Sequence, residues 1–71
     1  MIRDILDRYP HAQAIYDIGR RYAIVQGEDT LIVDKDTLEI DRALPTYSRE
    51  LAEITKGGIP LWPADLDDDG D

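Results

Sequence analysis

Apolar residues recur along this chain in short bursts between polar clusters, and their spacing changes from helical to alternating and back again. Ile2, Ile5, Leu6 and Tyr9 fall three or four residues apart, with Arg3, Asp4, Asp7 and Arg8 between them, which predicts a short amphipathic helix. Pro10 ends it, because its ring cannot continue the hydrogen-bond ladder and it pushes the preceding residue out of the helical region. So short a helix does not persist alone in water, so it must dock through those four residues.

Residues 12–26 carry two patterns at once. Ala12, Ile15, Ile18, Tyr22 and Val25 recur at helical spacing, whereas Ala14, Tyr16 and Ile18, then Tyr22, Ile24 and Gln26, alternate as two strands around Gly19-Arg20. Glycine at the first central position suits a type II′ hairpin turn, and glycine inside a helix would cost about 1 kcal/mol, so the hairpin is the better reading. Further on, Leu31-Ile32-Val33 and Leu38-Glu39-Ile40-Asp41 follow the polar clusters Gly27–Thr30 and Asp34–Thr37. The first of these runs has no polar member, which predicts an interior strand covered on both faces. In the second, Leu38 and Ile40 should point inward and Glu39 and Asp41 outward, as in an edge strand.

Leu44-Pro45 then breaks the pattern, and Thr46 or Ser48 offers an N-cap for a second helix at about 47–56, with Tyr47, Leu51 and Ile54 as its buried stripe. Gly57-Gly58 stops it. The remaining residues, IPLWPADLDDDGD, contain two prolines and read as an extended segment followed by an acidic tail. The expected fold is α+β: a small antiparallel β-meander of three to four strands, an N-terminal and a C-terminal helix covering one face, and the extended tail. Residues 1–58 form the domain in this reading, and 59–71 the appended segment.

Composition narrows the picture. A chain of 71 residues is one small domain that buries only about 60% of its unfolded surface. With no cysteine and one histidine, His11, it has neither a disulfide nor a multi-histidine metal cage to supplement the core, which leaves dimerisation as a possible aid. The formal charge is −8, and Asp65, Asp67, Asp68, Asp69 and Asp71 supply five of the negative charges with no base among them. Such a field opposes direct binding to nucleic acid or to an anionic membrane and favours a basic protein partner. The N-terminus is charged and periodic rather than signal-like, and no apolar run approaches the roughly 18 residues of a spanning helix, so a soluble cytoplasmic protein is expected.

Candidate chemistry is sparse. Asp65-Leu66-Asp67-Asp68-Asp69-Gly70 matches the first six positions of a calcium-binding EF-hand loop, but the chain ends before the bidentate glutamate, so a solubilising tail is the better reading and no metal is assigned. Ser48 and His11 are the sole serine and histidine available for a nucleophilic pair, phosphate-cradling glycine motifs are absent, and carboxylate pairs are guaranteed by number alone. Arg20-Arg21, in the proposed hairpin turn, reads as a solvated pair. No enzyme activity and no cofactor are expected.

Two features point to binding. Glu28, Asp29, Asp34, Asp36, Glu39 and Asp41 lie on the turns and outward positions of the meander, where residues two apart stand roughly 6.6 Å from each other on one face, a spacing that can place carboxylates in a groove built for phosphates. Ile59-Pro60-Leu61-Trp62-Pro63 places the single tryptophan in a stiff extended segment before Asp65 and Asp67. Leu61 and Trp62 there either complete the core or anchor a partner, with the acidic end steering toward a basic surface. In size, charge and lack of catalytic groups the chain resembles the small inhibitors that phages and mobile elements direct against host defences, anti-CRISPR proteins and nucleic-acid mimics among them.

The resulting expectation is a non-enzymatic inhibitor of a basic, nucleic-acid-handling protein. An antitoxin or immunity-type protein binding a toxin through residues 59–71 is the alternative. A homo-oligomeric scaffold associating through Tyr16, Tyr22 and Ile32 is the second alternative.

Overall fold

The computed structural model describes residues 2–63. Helix α1 (Ile2–Arg8) is followed by β1 (Ala14–Asp17), β2 (Arg21–Gln26), β3 (Asp29–Asp34), β4 (Ile40–Pro45), α2 (Arg49–Ile54) and β5 (Ile59–Trp62). The strands form one five-stranded antiparallel sheet in the order β4-β3-β2-β1-β5. The fold is therefore α+β as expected, with five strands rather than three or four. Among the described residues, no helix is long and apolar enough to cross a membrane.

Residues 12–26 form the hairpin. Asp17 pairs with Tyr22, and the Ile18 N–H donates to the Arg21 carbonyl at 3.0 Å, which leaves Gly19-Arg20 as the two-residue turn. Gly19 takes the positive φ of 106° that the first central position of a II′ turn requires, and Gly27 (φ 66°) serves the β2–β3 turn in the same way. The Gly27 N–H also donates to Gln13 Oε1 at 2.7 Å, which ties that turn to the approach to β1.

The two helices do not share a face of the sheet. Ile5 of α1 packs with Ala12, Ile15, Tyr22, Ile24 and Val33, whereas Leu51 of α2 packs with Ala23 and Ile32. Side chains alternate along a strand, so Tyr22 and Ile24 go one way and Ala23 the other. Because Tyr22-Ala23-Ile24 and Leu31-Ile32-Val33 are apolar at consecutive positions, both faces of the sheet need cover, and the single-face arrangement would have left one of them in water. As predicted, β3 is an interior strand, with Ile32 and Val33 buried. Helix α1 docks through Ile2, Ile5, Leu6 and Tyr9, and the Tyr9 hydroxyl donates to the Leu38 carbonyl to fasten it to the β3–β4 turn.

Three local expectations are corrected. Leu38 lies in the turn with a φ of 62° instead of in a strand, and β4 begins at Ile40, which is 51% exposed. The cause is the turn itself: Asp34 Oδ1 accepts the Asp36 and Thr37 N–H groups at 2.7 and 3.2 Å and prolongs the reversal, and a bulge then leaves Asp41 without a pairing partner on β3. Leu44-Pro45 ends β4 rather than breaking the chain before it, since an edge strand tolerates a terminal proline. The second helix starts at Arg49, and Tyr47, ahead of the cap, is 88% exposed rather than part of the buried stripe. Ser48 is the N-cap, with its Oγ accepting the Leu51 N–H at 3.2 Å, a contact worth about 1 kcal/mol.

Ile59–Trp62 enters the sheet as an edge strand beside β1, where Pro60 can sit opposite Tyr16 without a ladder donor of its own. Thr30 is the buried polar residue of the core, and its hydroxyl lies 3.0 Å from that of Thr46. Thr46 in turn donates to the Gly27 carbonyl, so Thr30 is the donor of the pair and no hydroxyl is orphaned.

Candidate functional site

The acidic series separates into two groups. Glu28 and Asp29 lie at the β2–β3 turn, at one end of the sheet, while Asp34, Asp36, Glu39 and Asp41 lie along the β3–β4 connection at the other. A single continuous row of carboxylates does not form. Within the second group the side chains have different engagements. Asp34 closes its own turn, and Asp41 Oδ2 lies 3.2 Å from Arg21 Nε. Asp36 and Glu39 are exposed, and Glu39 directly precedes the exposed Ile40 at the start of β4. Among the described residues strand β4 has no neighbour on its outer side, and five of its six residues are exposed.

Leu61 and Trp62 are half-buried against the α1-side core, and Trp62 pairs with Ile15, so both side chains complete the fold. Asp65, Asp67 and the half EF-hand loop lie outside the described residues. The proposed self-association face does not exist as a face: Tyr22 is 6% exposed on the α1 side, whereas Ile32, 3% exposed, packs on the α2 side beside Tyr16. Ser48 Oγ donates to the Pro45 carbonyl and accepts from Leu51, which commits it to the cap. His11 is an exposed residue between α1 and β1.

Bases stand closer to the acidic groups than the linear spacing suggests. Lys35 Nζ reaches across the Tyr22 ring, 5.3 Å from its centroid, to Asp17, with both carboxylate oxygens at 2.9 Å. That hydrogen bond, helped by the Gly19 N–H at 2.9 Å, lowers the Asp17 pKa from its ordinary value against a smaller opposing effect of burial. On the α2 side, Arg20, Arg21 and Arg42 line a concavity of about 360 Å³ together with Ile18, Ile32, Ile54 and Asp41. Sequence spacing could not reveal this group, because Arg42 lies 21 positions after Arg21 and is brought near it by the β2–β3–β4 register.

No family model, no curated protein and no solved structure matches the chain. Its chemistry has to be read from its own residues.

Proposed function

We propose that this protein is a non-enzymatic binding protein that inhibits or neutralises a basic partner of the nucleic-acid-handling class, in the manner of the small anti-defence proteins of phages and mobile elements. The observation that carries the reading is the corner where the β3–β4 turn enters β4. Exposed Asp36 and Glu39 lie there in the turn that leads into exposed Ile40, at an edge strand of the sheet. Carboxylates at the rim steer a basic surface into place, and an apolar residue with free backbone groups gives it something to hold. The charge of −8 acts in the same direction at long range. Because Glu28 and Asp29 lie at the far end, the contact is a corner rather than a long phosphate-like row.

The test is capture from a bacterial lysate by the full chain and by an Asp36→Lys/Glu39→Lys variant, washed at low salt and then at about 0.5 M, where screening acts within roughly 4 Å. The expected result is a basic nucleic-acid-binding protein that DNA or RNA competes away and that the charge-reversed variant fails to hold. Undiminished capture by the variant would sink the reading. Loss of capture on ending the chain after Pro63, with the charge-reversed variant unaffected, would instead move the contact to the acidic tail, as in the antitoxin-like alternative. The cut belongs after Pro63 rather than Gly58, because Ile59–Trp62 is part of the sheet.

A further inference from the structure

Helix α2 is too short for the face it covers. Its six residues span about 9 Å, whereas a six-residue strand beneath it runs about 20 Å. The helix closes over Ala23 and Ile32 through Leu51 and leaves a recess beside Ile54 and Ile18. That recess is the arginine-lined concavity.

Its lining is unusual for this chain. The whole sequence contains eight lysines and arginines against sixteen acids, yet three arginines border this one recess. They arrive from different elements: Arg20 from the β1–β2 turn, Arg21 from the start of β2 and Arg42 from β4. The Arg20 side chain is exposed and makes no ion pair or hydrogen bond among the described residues. Arg21 Nε is buried and lacks a hydrogen-bond acceptor among the described residues, because Asp41 at 3.2 Å is not aligned with its N–H. Arg42 is held by Glu50 at 3.0 Å, with both side chains at least half exposed, and ion pairs this exposed open readily.

We propose that this recess binds a phosphate monoester carried on an apolar body. Three guanidinium groups on one recess suit the three terminal oxygens of a tetrahedral phosphate, whereas a planar carboxylate is satisfied by one guanidinium fork. The partly exposed Ile18 and Ile54 take the carrier, and a recess of about 360 Å³ is within the range of small-ligand sites. The site adjoins the acidic corner, since Arg20 and Arg21 also line a recess with Asp34 and Asp36, but the proposal does not depend on the inhibitor reading.

The experiment is a titration of the isotopically labelled full chain with phenyl phosphate at constant ionic strength, followed by amide chemical shifts. Inorganic phosphate and benzoate serve as the head-group and carboxylate arms. Saturable shifts are expected at residues 18–21, Ile32, Arg42 and Ile54, with inorganic phosphate weaker for want of the isoleucine contact. An Arg20→Gln/Arg42→Gln variant, altered only at exposed positions, should bind about ten-fold more weakly or worse. An Arg3→Gln/Arg8→Gln variant, altered on α1 across the sheet, should bind as the parent does. Non-saturating shifts, shifts centred on α1, or equal affinity in the Arg20/Arg42 variant would overturn the site. Benzoate binding as tightly as phenyl phosphate would overturn the assignment to phosphate.

Discussion

The two faces of this sheet are made by the same strands and differ in what the strands send to them. Toward α1 go Ile15, Tyr22, Ile24 and Val33, all large and at most 6% exposed. Toward α2 go Tyr16, Ala23, Thr30 and Ile32, in which small and polar side chains interrupt the large ones. The first face packs large side chains at its centre and keeps one recess of about 320 Å³ at its rim, between Asp4 and Ile5 of α1 and Tyr22, Lys35, Asp36 and Leu38. The second, under a six-residue helix, keeps two recesses: one of about 260 Å³ lined by residues such as Tyr16, Thr46 and Thr55, and the arginine-lined one. A domain this small has little apolar surface to bury, and its large apolar side chains concentrate on the α1 face.

The comparison is easiest to break with core truncations. Ile24→Ala should cost about 3–4 kcal/mol, within the usual range for a fully buried aliphatic side chain and a large part of the roughly 4–10 kcal/mol expected for a chain of this length. Leu51→Ala should cost nearer 2 kcal/mol, because the recesses beside it allow its surroundings to relax. Urea denaturation of the two variants measures both. Equal costs would mean that the faces are equally packed and that the contrast is illusory.

A smaller effect sharpens the picture of the α2 side. At Gly58 an added Cβ would stand 3.0 Å from the Thr55 carbonyl oxygen and 3.1 Å from Ile18 Cγ2. The Gly58 N–H already donates to that same carbonyl at 2.8 Å, so the backbone has little freedom to yield. Gly58→Ala should cost about 1–2 kcal/mol by overpacking and should perturb the amide of Ile18, on the wall of the arginine recess. A neutral substitution with an unchanged Ile18 amide would show that the α2–β5 connection gives way easily.

The smallest effect belongs to the rim of the α1 side, where Lys35 and the Gly19 N–H lower the Asp17 pKa. A depressed carboxyl pKa contributes stability above the unfolded value, near 3.9, and that contribution is lost as pH falls through the folded value. The parent should therefore lose more thermal stability than Asp17→Asn between about pH 5 and pH 3, and the two should converge at the acid end. Parallel melting-temperature profiles over that window would show that the Lys35 contact adds nothing.

Much of this arrangement was legible in one dimension. The docking stripe of α1, the Gly19-Arg20 hairpin turn and the interior character of Leu31-Ile32-Val33 all rest on neighbours within a few residues, whereas α2 ends at Ile54, ahead of the Gly57-Gly58 stop. Periodicity and turn chemistry are local, so the sequence determines them without reference to the rest of the molecule. The errors at Leu38, Ile40 and Tyr47 arose where a side chain reset the local count: Asp34 extends its turn, and Ser48 rather than Thr46 caps the helix.

Tertiary structure alone decided which side of the sheet each helix takes, that Ile59–Trp62 pairs with β1, and that Arg20, Arg21 and Arg42 meet while Glu28 and Asp29 stand apart from Asp36 and Glu39. Those outcomes depend on strand register, in which a shift of one residue exchanges the faces, and on the bulge at Asp41, which nothing in the spacing of β4 announces. Local pattern sets what each segment becomes. The pairing of distant strands sets which charges share a surface, and therefore what that surface can bind.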